Sequence, residues 1–227
     1  MRAKIAAAAL FIATSSVFGQ SFQFTRPALS LIPDGTLADN TYTNDELGMV
    51  FHFPQGWAGK LDSGHSVVFG KDPNGPANKC TRILLRYESP RKVKGWFSGW
   101  GIVFAIDPDC LSIGPFPASP ETRNTRVDDL ARKIVQLYHP APFFPPGTLD
   151  VSADRLEWPS GPVIICLRGN GSRNVDEIDP TRKRDPVPVS TEFVVTQGST
   201  YWLGWAAIVD HHSRDELSKS SLQIRVP

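Results

Sequence analysis

The chain has 227 residues, 24 of them basic and 23 acidic, a balance that gives no general attraction to phosphate backbones or anionic lipid and argues against a nucleic-acid partner. With 41% hydrophobic residues, 20 prolines and 18 glycines, it can bury one sizeable core built from short segments separated by turns. No stretch beyond the N-terminal region reaches the roughly 18 apolar residues of a membrane helix, so no membrane span is expected.

Met1-Arg2-Ala3-Lys4 precedes an uncharged run from Ile5 to Phe18 and small Gly19. This pattern predicts a secretory signal peptide over residues 1–19 and a secreted or periplasmic protein. Its removal takes away Arg2 and Lys4, leaving 22 basic against 23 acidic residues and a formal charge of −1. Residues 20–40, with Pro27, Pro33 and little periodicity, read as an extended lead-in, and a single domain is expected over 41–227.

In "YTNDELGMVFHFPQGW", Met49, Phe51 and Phe53 alternate with Val50 and His52, the period of a strand. Pro54 ends the ladder because it has no N–H to donate, and Gly56 permits the turn that brings Trp57 back over the core. "SVVFGK", "TRILLRYES" and "GIVFAIDPD" continue as probable strands of a meander. Val127, Leu130, Ile134, Leu137 and Tyr138 then recur at helical spacing, with Thr125 and Asp128 as a capping box and Pro140 as the stop. "VSADRLEW" and "GPVIICLRG" read as strands, and "STEFVVTQGSTYWLGWAAIVD" as a hairpin turning at Gln197-Gly198. Ser213 and Glu216 suggest a second capping box before a last strand, "LQIRV". Segments 115–125, 139–149 and 170–189 read as insertions, the last as a mobile surface loop.

The pattern predicts an α+β fold, an antiparallel β-sheet covered by helices. Cys80 and Cys110 flank a hairpin centred on residue 95; opposite one another in that register, they could form a disulfide in an exported protein. The alternative is two free thiols. Cys166, inside "VIICLRG", reads as a small buried hydrophobe.

Tyr42 and Asn44, the strand carrying Phe51 and Phe53, Pro54, Gly56 and Trp57, and the late hairpin followed by a short helix and a last strand give the chain a remote resemblance to a superfamily. It resembles the PsbP-like superfamily of the photosystem II extrinsic protein and the nuclear Ran-release factor. That resemblance implies a PsbP-like α/β/α sandwich over residues 41–227 and a non-catalytic habit of binding partners.

No nucleophile-elbow, HExxH, paired CxxC or phosphate-loop pattern occurs. Asp62-Ser63-Gly64 matches the triplet of retroviral-type aspartic proteases, but it is also ordinary turn chemistry. Asp107 and Asp109 could act as an acid pair or simply form a turn. Asp210, His211 and His212 could ligate a divalent metal with help from His52 or His65, or form a solvated strand end. At the hairpin tip, Trp96, Phe97 and Trp100 lie among Arg91, Lys92 and Lys94. Exposed, they would stack on a partner; folded back, they would cover the core. Residues 181–184, "TRKR", read as a solvated turn. The expectation is an exported, non-enzymatic binding or accessory protein whose partner is a protein or cell-surface component. No cofactor is expected beyond a divalent metal, which would accompany the alternative of a metal-dependent enzyme or metal-binding protein.

Overall fold

The computed structural model describes residues 28–62, 72, 74–112, 133, 136, 152–155, 164–175, 182–217 and 219–224. Eleven strands are defined among them: β1 (Thr36–Ala38), β2 (Thr41–Asn44), β3 (Met49–His52), β4 (Ala58–Leu61), β5 (Thr81–Val93), β6 (Phe97–Ile106), β7 (Ser152–Arg155), β8 (Ile164–Val175), β9 (Lys183–Gln197), β10 (Trp202–Asp210) and β11 (Ser221–Ile224). They form two antiparallel sheets, one ordered β1-β2-β3-β11 and one ordered β4-β5-β6-β10-β9-β8-β7.

The small sheet packs on one face of the large one, and the core lies between them. Met49 and Phe51 of β3 and the following Phe53 meet Leu85, Tyr87, Val103, Leu203 and Trp205 of the large sheet in one buried cluster. Ring contacts make the joint: Phe51 lies 5.5 Å from Tyr87 and 6.0 Å from Trp205, and Phe53 stacks on Tyr87 at 5.4 Å. Each such pair adds about 1 kcal/mol beyond simple burial. Gly101 makes room for the joint, because a Cβ there would collide with the Tyr87 ring and the Ala206 carbonyl.

The expected helix-covered sheet, the PsbP-like α/β/α sandwich, is corrected by this architecture. Over this face, the cover is a second sheet. Four-residue helical turns occur at Pro76–Lys79 and Arg214–Leu217. Of the helix expected from residue 125 onward, only Lys133 and Gln136 are described, both helical and exposed. The physical reason lies in β11, whose four residues pair with β3 from Ser221↔His52 to Ile224↔Met49. That pairing joins segments 169 to 175 residues apart, and no local pattern announces which strand the last one joins. The signal peptide and the segments 115–125 and 139–149 lie outside the described residues.

The motif "FPQGW" behaves as its chemistry dictates. Gly56 has φ +83°, and the turn delivers Trp57 onto the core, 5.8 Å from Tyr87. Its indole Nε1 donates to Glu216 Oε2 at 3.1 Å, tying the helical turn after β10 to the start of β4. Asp210, not Ser213, is the capping residue here: its Oδ1 accepts from the His212 N–H at 3.2 Å at the head of the 3-10 turn His211–Ser213 that leads into Arg214–Leu217.

Cys80 and Cys110 are joined by a disulfide with Cα atoms 5.5 Å apart, but not by direct opposition across the ladder. The β5–β6 turn is centred on Gly95, as Lys92↔Ser98 and Val93↔Phe97 require. Irregularities between Ile83 and Leu85 and between Glu88 and Lys92 then move the register to Thr81↔Ile106. The second accommodates Pro90, which cannot donate to the ladder. Cys80 therefore meets Asp107, whose N–H donates to its carbonyl at 2.9 Å. Cys110 reaches it through the turn that follows β6.

The segment 170–189 also differs from expectation. Residues up to Val175 and from Lys183 onward are strand, paired from Asn170↔Ser190 to Val175↔Lys183 as an extension of the β8–β9 hairpin. Gly, Asn and Pro in this stretch mark an edge and an irregular ladder rather than its absence.

Burial pushes the Tyr87 phenol well above its ordinary range, partly offset by the Ser220 hydroxyl facing it and reinforced by the Glu192 charge. Tyr42 is raised as well, again chiefly by burial. An acid whose folded pKa is raised stabilises the fold below the unfolded value near pH 10. Above it, only the unfolded chain releases the proton, so stability falls as pH rises. Tyr87→Phe should flatten this alkaline loss by about 1.4 kcal/mol per pH unit above pH ~10, measured by urea unfolding at stepped pH. The paired change Cys80→Ser with Cys110→Ser opens a cross-link of sequence separation 30. It should cost roughly 3–4 kcal/mol by the chain-entropy relation, seen as a matching fall in unfolding free energy under non-reducing conditions.

Candidate functional site

The aromatic tip folds back. Phe97 and Trp100 are 2% and 3% exposed, and the Arg86 guanidinium lies over the Trp100 ring at 4.7 Å, so neither offers a free face to a partner. Trp96 is half-buried against Phe97, with ring centroids 5.7 Å apart. Beside it, Lys94 Nζ donates to the Pro186 carbonyl at 2.7 Å, joining the two long hairpins.

Asp210, His211 and His212 do adjoin one another, but local structure already engages two of them. The Asp210 carboxylate caps the turn, and His211 Nδ1 stands 3.0 Å from Ser190 Oγ. His52 Nδ1 pairs with Thr41 Oγ1 at 3.0 Å, and His65 lies outside the described residues. Among the described residues, no group of three or more His, Cys, Asp or Glu side chains is arranged to hold a metal. Asp107 Oδ1 accepts from the Asp109 and Cys110 N–H groups at 3.0 and 3.3 Å, which is turn chemistry. Asp62 has its N–H on the Leu84 carbonyl at 3.1 Å, while Ser63 and Gly64 lie outside the described residues. Arg182 is exposed beside the start of β9, and Lys183 and Arg184 belong to that strand.

Two hollows remain. One, of about 540 Å³, lies beside the disulfide and is lined by Leu29, Asp62, Lys79, Arg82 and Asp107 among others. Its strongest donor is already committed: Arg82 donates to the carbonyls of Leu29 and Ile32 and pairs with Asp34 Oδ1 at 2.6 Å. That arginine straps the lead-in to β5, which is a structural task.

The second hollow, about 220 Å³, sits where β8 and β9 run past the cover of the small sheet. Along β9, buried Val194 gives way to Glu192 and Ser190 on the same face; along β8, Cys166 gives way to Arg168 and Asn170. These polar side chains, which sequence reasoning missed, form two adjoining hydrogen-bonded groups, Glu192 with Arg168 and Cys166, and Ser190 with Asn170 and His211. Glu192 is 6% exposed. Its Oε1 accepts from Arg168 Nε at 2.9 Å and from the Cys166 thiol at 3.2 Å. Ser190 Oγ donates to Asn170 Oδ1 at 2.9 Å, so the contact with His211 needs a proton on Nδ1 of that ring. Thr191 Oγ1 donates to the Gly169 carbonyl at 3.2 Å. Arg214, Asp215 and Leu217 of the helical turn complete the rim.

Arg168 is 35% exposed at its side chain, but Glu192 is buried, and a buried carboxylate is a poor stabiliser where an apolar side chain would serve the core as well or better. The position of the pair directly after the buried Cys166 and Val194 on the same face of β8 and β9 marks a departure from packing logic of the kind found at functional sites. The paired Ser190-Thr191-Glu192 within "VPVSTEFVVTQ" is the signal that could have found it. Three consecutive polar residues interrupt an otherwise buried strand there.

No family model matches the chain, and no curated protein matches it, so the resemblance to the PsbP-like superfamily has no family match behind it. Among solved structures, the chain is similar to the crystal structure of LpqN, involved in cell envelope biogenesis of Mycobacterium tuberculosis. The identity is 12% over 74% of this chain and 92% of that one, with a TM-score of 0.33. A likeness at that score carries no argument about fold or function.

Proposed function

We propose that the chain is an exported, non-enzymatic binding or accessory protein that takes up a component of the envelope or extracellular space at the β8–β9 notch. The observation that carries this reading is the Arg168–Glu192 pair, set with Ser190 and Asn170 where the face of β8 and β9 that carries buried Cys166 and Val194 turns polar, and opening on a hollow of about 220 Å³. Export is supported by the basic, apolar and small-residue order of residues 1–19. A disulfide between Cys80 and Cys110 suits an oxidising compartment. Binding is favoured over catalysis by the chemistry of the notch. Its hydroxyls and amide hold one another, and its buried carboxylate is paired with a guanidinium, an arrangement that recognises charge rather than activating a nucleophile.

Asn170 is exposed at the mouth, so Asn170→Trp should fill the notch at little cost to the fold. In native mass spectrometry of protein recovered from the exported fraction, the wild type should carry a bound mass whose occupancy drops at least about tenfold in the variant, a loss of ~1.4 kcal/mol. A bound mass retained equally by both proteins, or absent from both, would sink the reading.

A further inference from the structure

The arrangement of charges around the notch specifies the class of ligand. Both bonds to the buried Glu192 carboxylate, from Arg168 Nε and from the Cys166 thiol, fall on Oε1. Oε2 therefore has no hydrogen-bond partner among the described residues and remains available within a hollow that Glu192 itself lines. An oxygen of a largely buried carboxylate that opens onto the hollow favours a cationic donor, because a charge-assisted bond offsets desolvation that a neutral donor offsets less well. Across the mouth stand donors with the opposite preference. The exposed Arg214 guanidinium has no ion pair or hydrogen bond among the described residues, and Asn170 uses only its Oδ1, which leaves its amide N–H groups free to donate.

The notch thus presents an acceptor for a cation inside and donors for an anion at the rim, with two arginines balanced by Glu192 and Asp215. A ligand of single charge would leave one of these features unmatched, and a net charge brought into so small a space carries a desolvation penalty. At about 220 Å³, the hollow falls below the ~300 Å³ at which pockets for drug-sized molecules begin. Both charges must therefore belong to one short molecule. Leu217, 5% exposed, gives the hollow one apolar wall that suits a small aliphatic side chain.

We infer that the notch binds a small zwitterion of the α-amino-acid class, with the ammonium on Glu192 Oε2 and the carboxylate on Arg214 and the Asn170 amide. This inference rests on the binding reading above and names its ligand class.

The test is calorimetric titration of the exported protein with L-alanine, with sodium acetate and with methylammonium chloride, the last two presenting one charge each. L-alanine should bind saturably and at least about tenfold more tightly than either single-charge probe, a difference of ~1.4 kcal/mol. Arg214→Gln, an exposed substitution, should weaken L-alanine by about tenfold or more while leaving methylammonium unchanged. Glu192→Gln should weaken both L-alanine and methylammonium; should that buried change unfold the protein, the Arg214→Gln result decides alone. Acetate binding as tightly as L-alanine would identify a plain anion site and overturn the inference. So would the absence of heat from L-alanine up to about 20 mM, well beyond a millimolar Kd. In either of those cases the broader binding reading stands or falls separately, on the mass carried by the exported protein and lost in Asn170→Trp.

Discussion

Tyr87 is where two sheets become one core. Its ring is touched by Phe51, Phe53 and Trp57 from the small-sheet side, and it lies flat only because Gly101 on the neighbouring strand has no side chain. Trp57 in turn is held by Glu216, so the helical turn after β10 is fixed by the same aromatic group. That turn supplies Arg214, Asp215 and Leu217 to the notch. Packing in the sandwich and the geometry of the polar site are thus linked through a single ring and a single indole hydrogen bond.

Local chemistry made much of the large sheet legible. Alternation and turn residues located β5, β6, β9 and β10, together with β3 of the small sheet, and a proline and a glycine at the right places foretold the Trp57 lid. The cysteine pairing followed from the same hairpin, although its route did not, because the irregularity around Pro90 cannot be counted from composition. Capping-box patterns were less informative. Ser213 and Glu216 fit one, yet Asp210 performs the capping and Glu216 serves Trp57.

The small sheet was the feature least visible in the chain. Its strands are three or four residues long; β3 and the segment of β11 read as strands, but β1 and β2 are too short to display a period, and nothing local shows that β11 pairs with β3. The notch was hidden for a related reason. Glu192 and Arg168 look like solvent-facing residues of an ordinary amphipathic strand until the register places them together on the inner face. Polar residues gain meaning from what covers them, and cover is a tertiary property.

The pairing of β11 with β3 also has a kinetic meaning. Until the segment around residue 224 is available, β3 lacks its outer neighbour, and the cover over Phe51, Tyr87 and Trp205 is incomplete. Long-range pairing of this kind is slow because the loop between the partners must be closed before any contact compensates for its entropy. A chain that closes its core with a late segment stays open while it is being made. The same delay leaves an apolar sheet face uncovered, so the strand that completes the fold also ends the interval in which the chain is most exposed to aggregation.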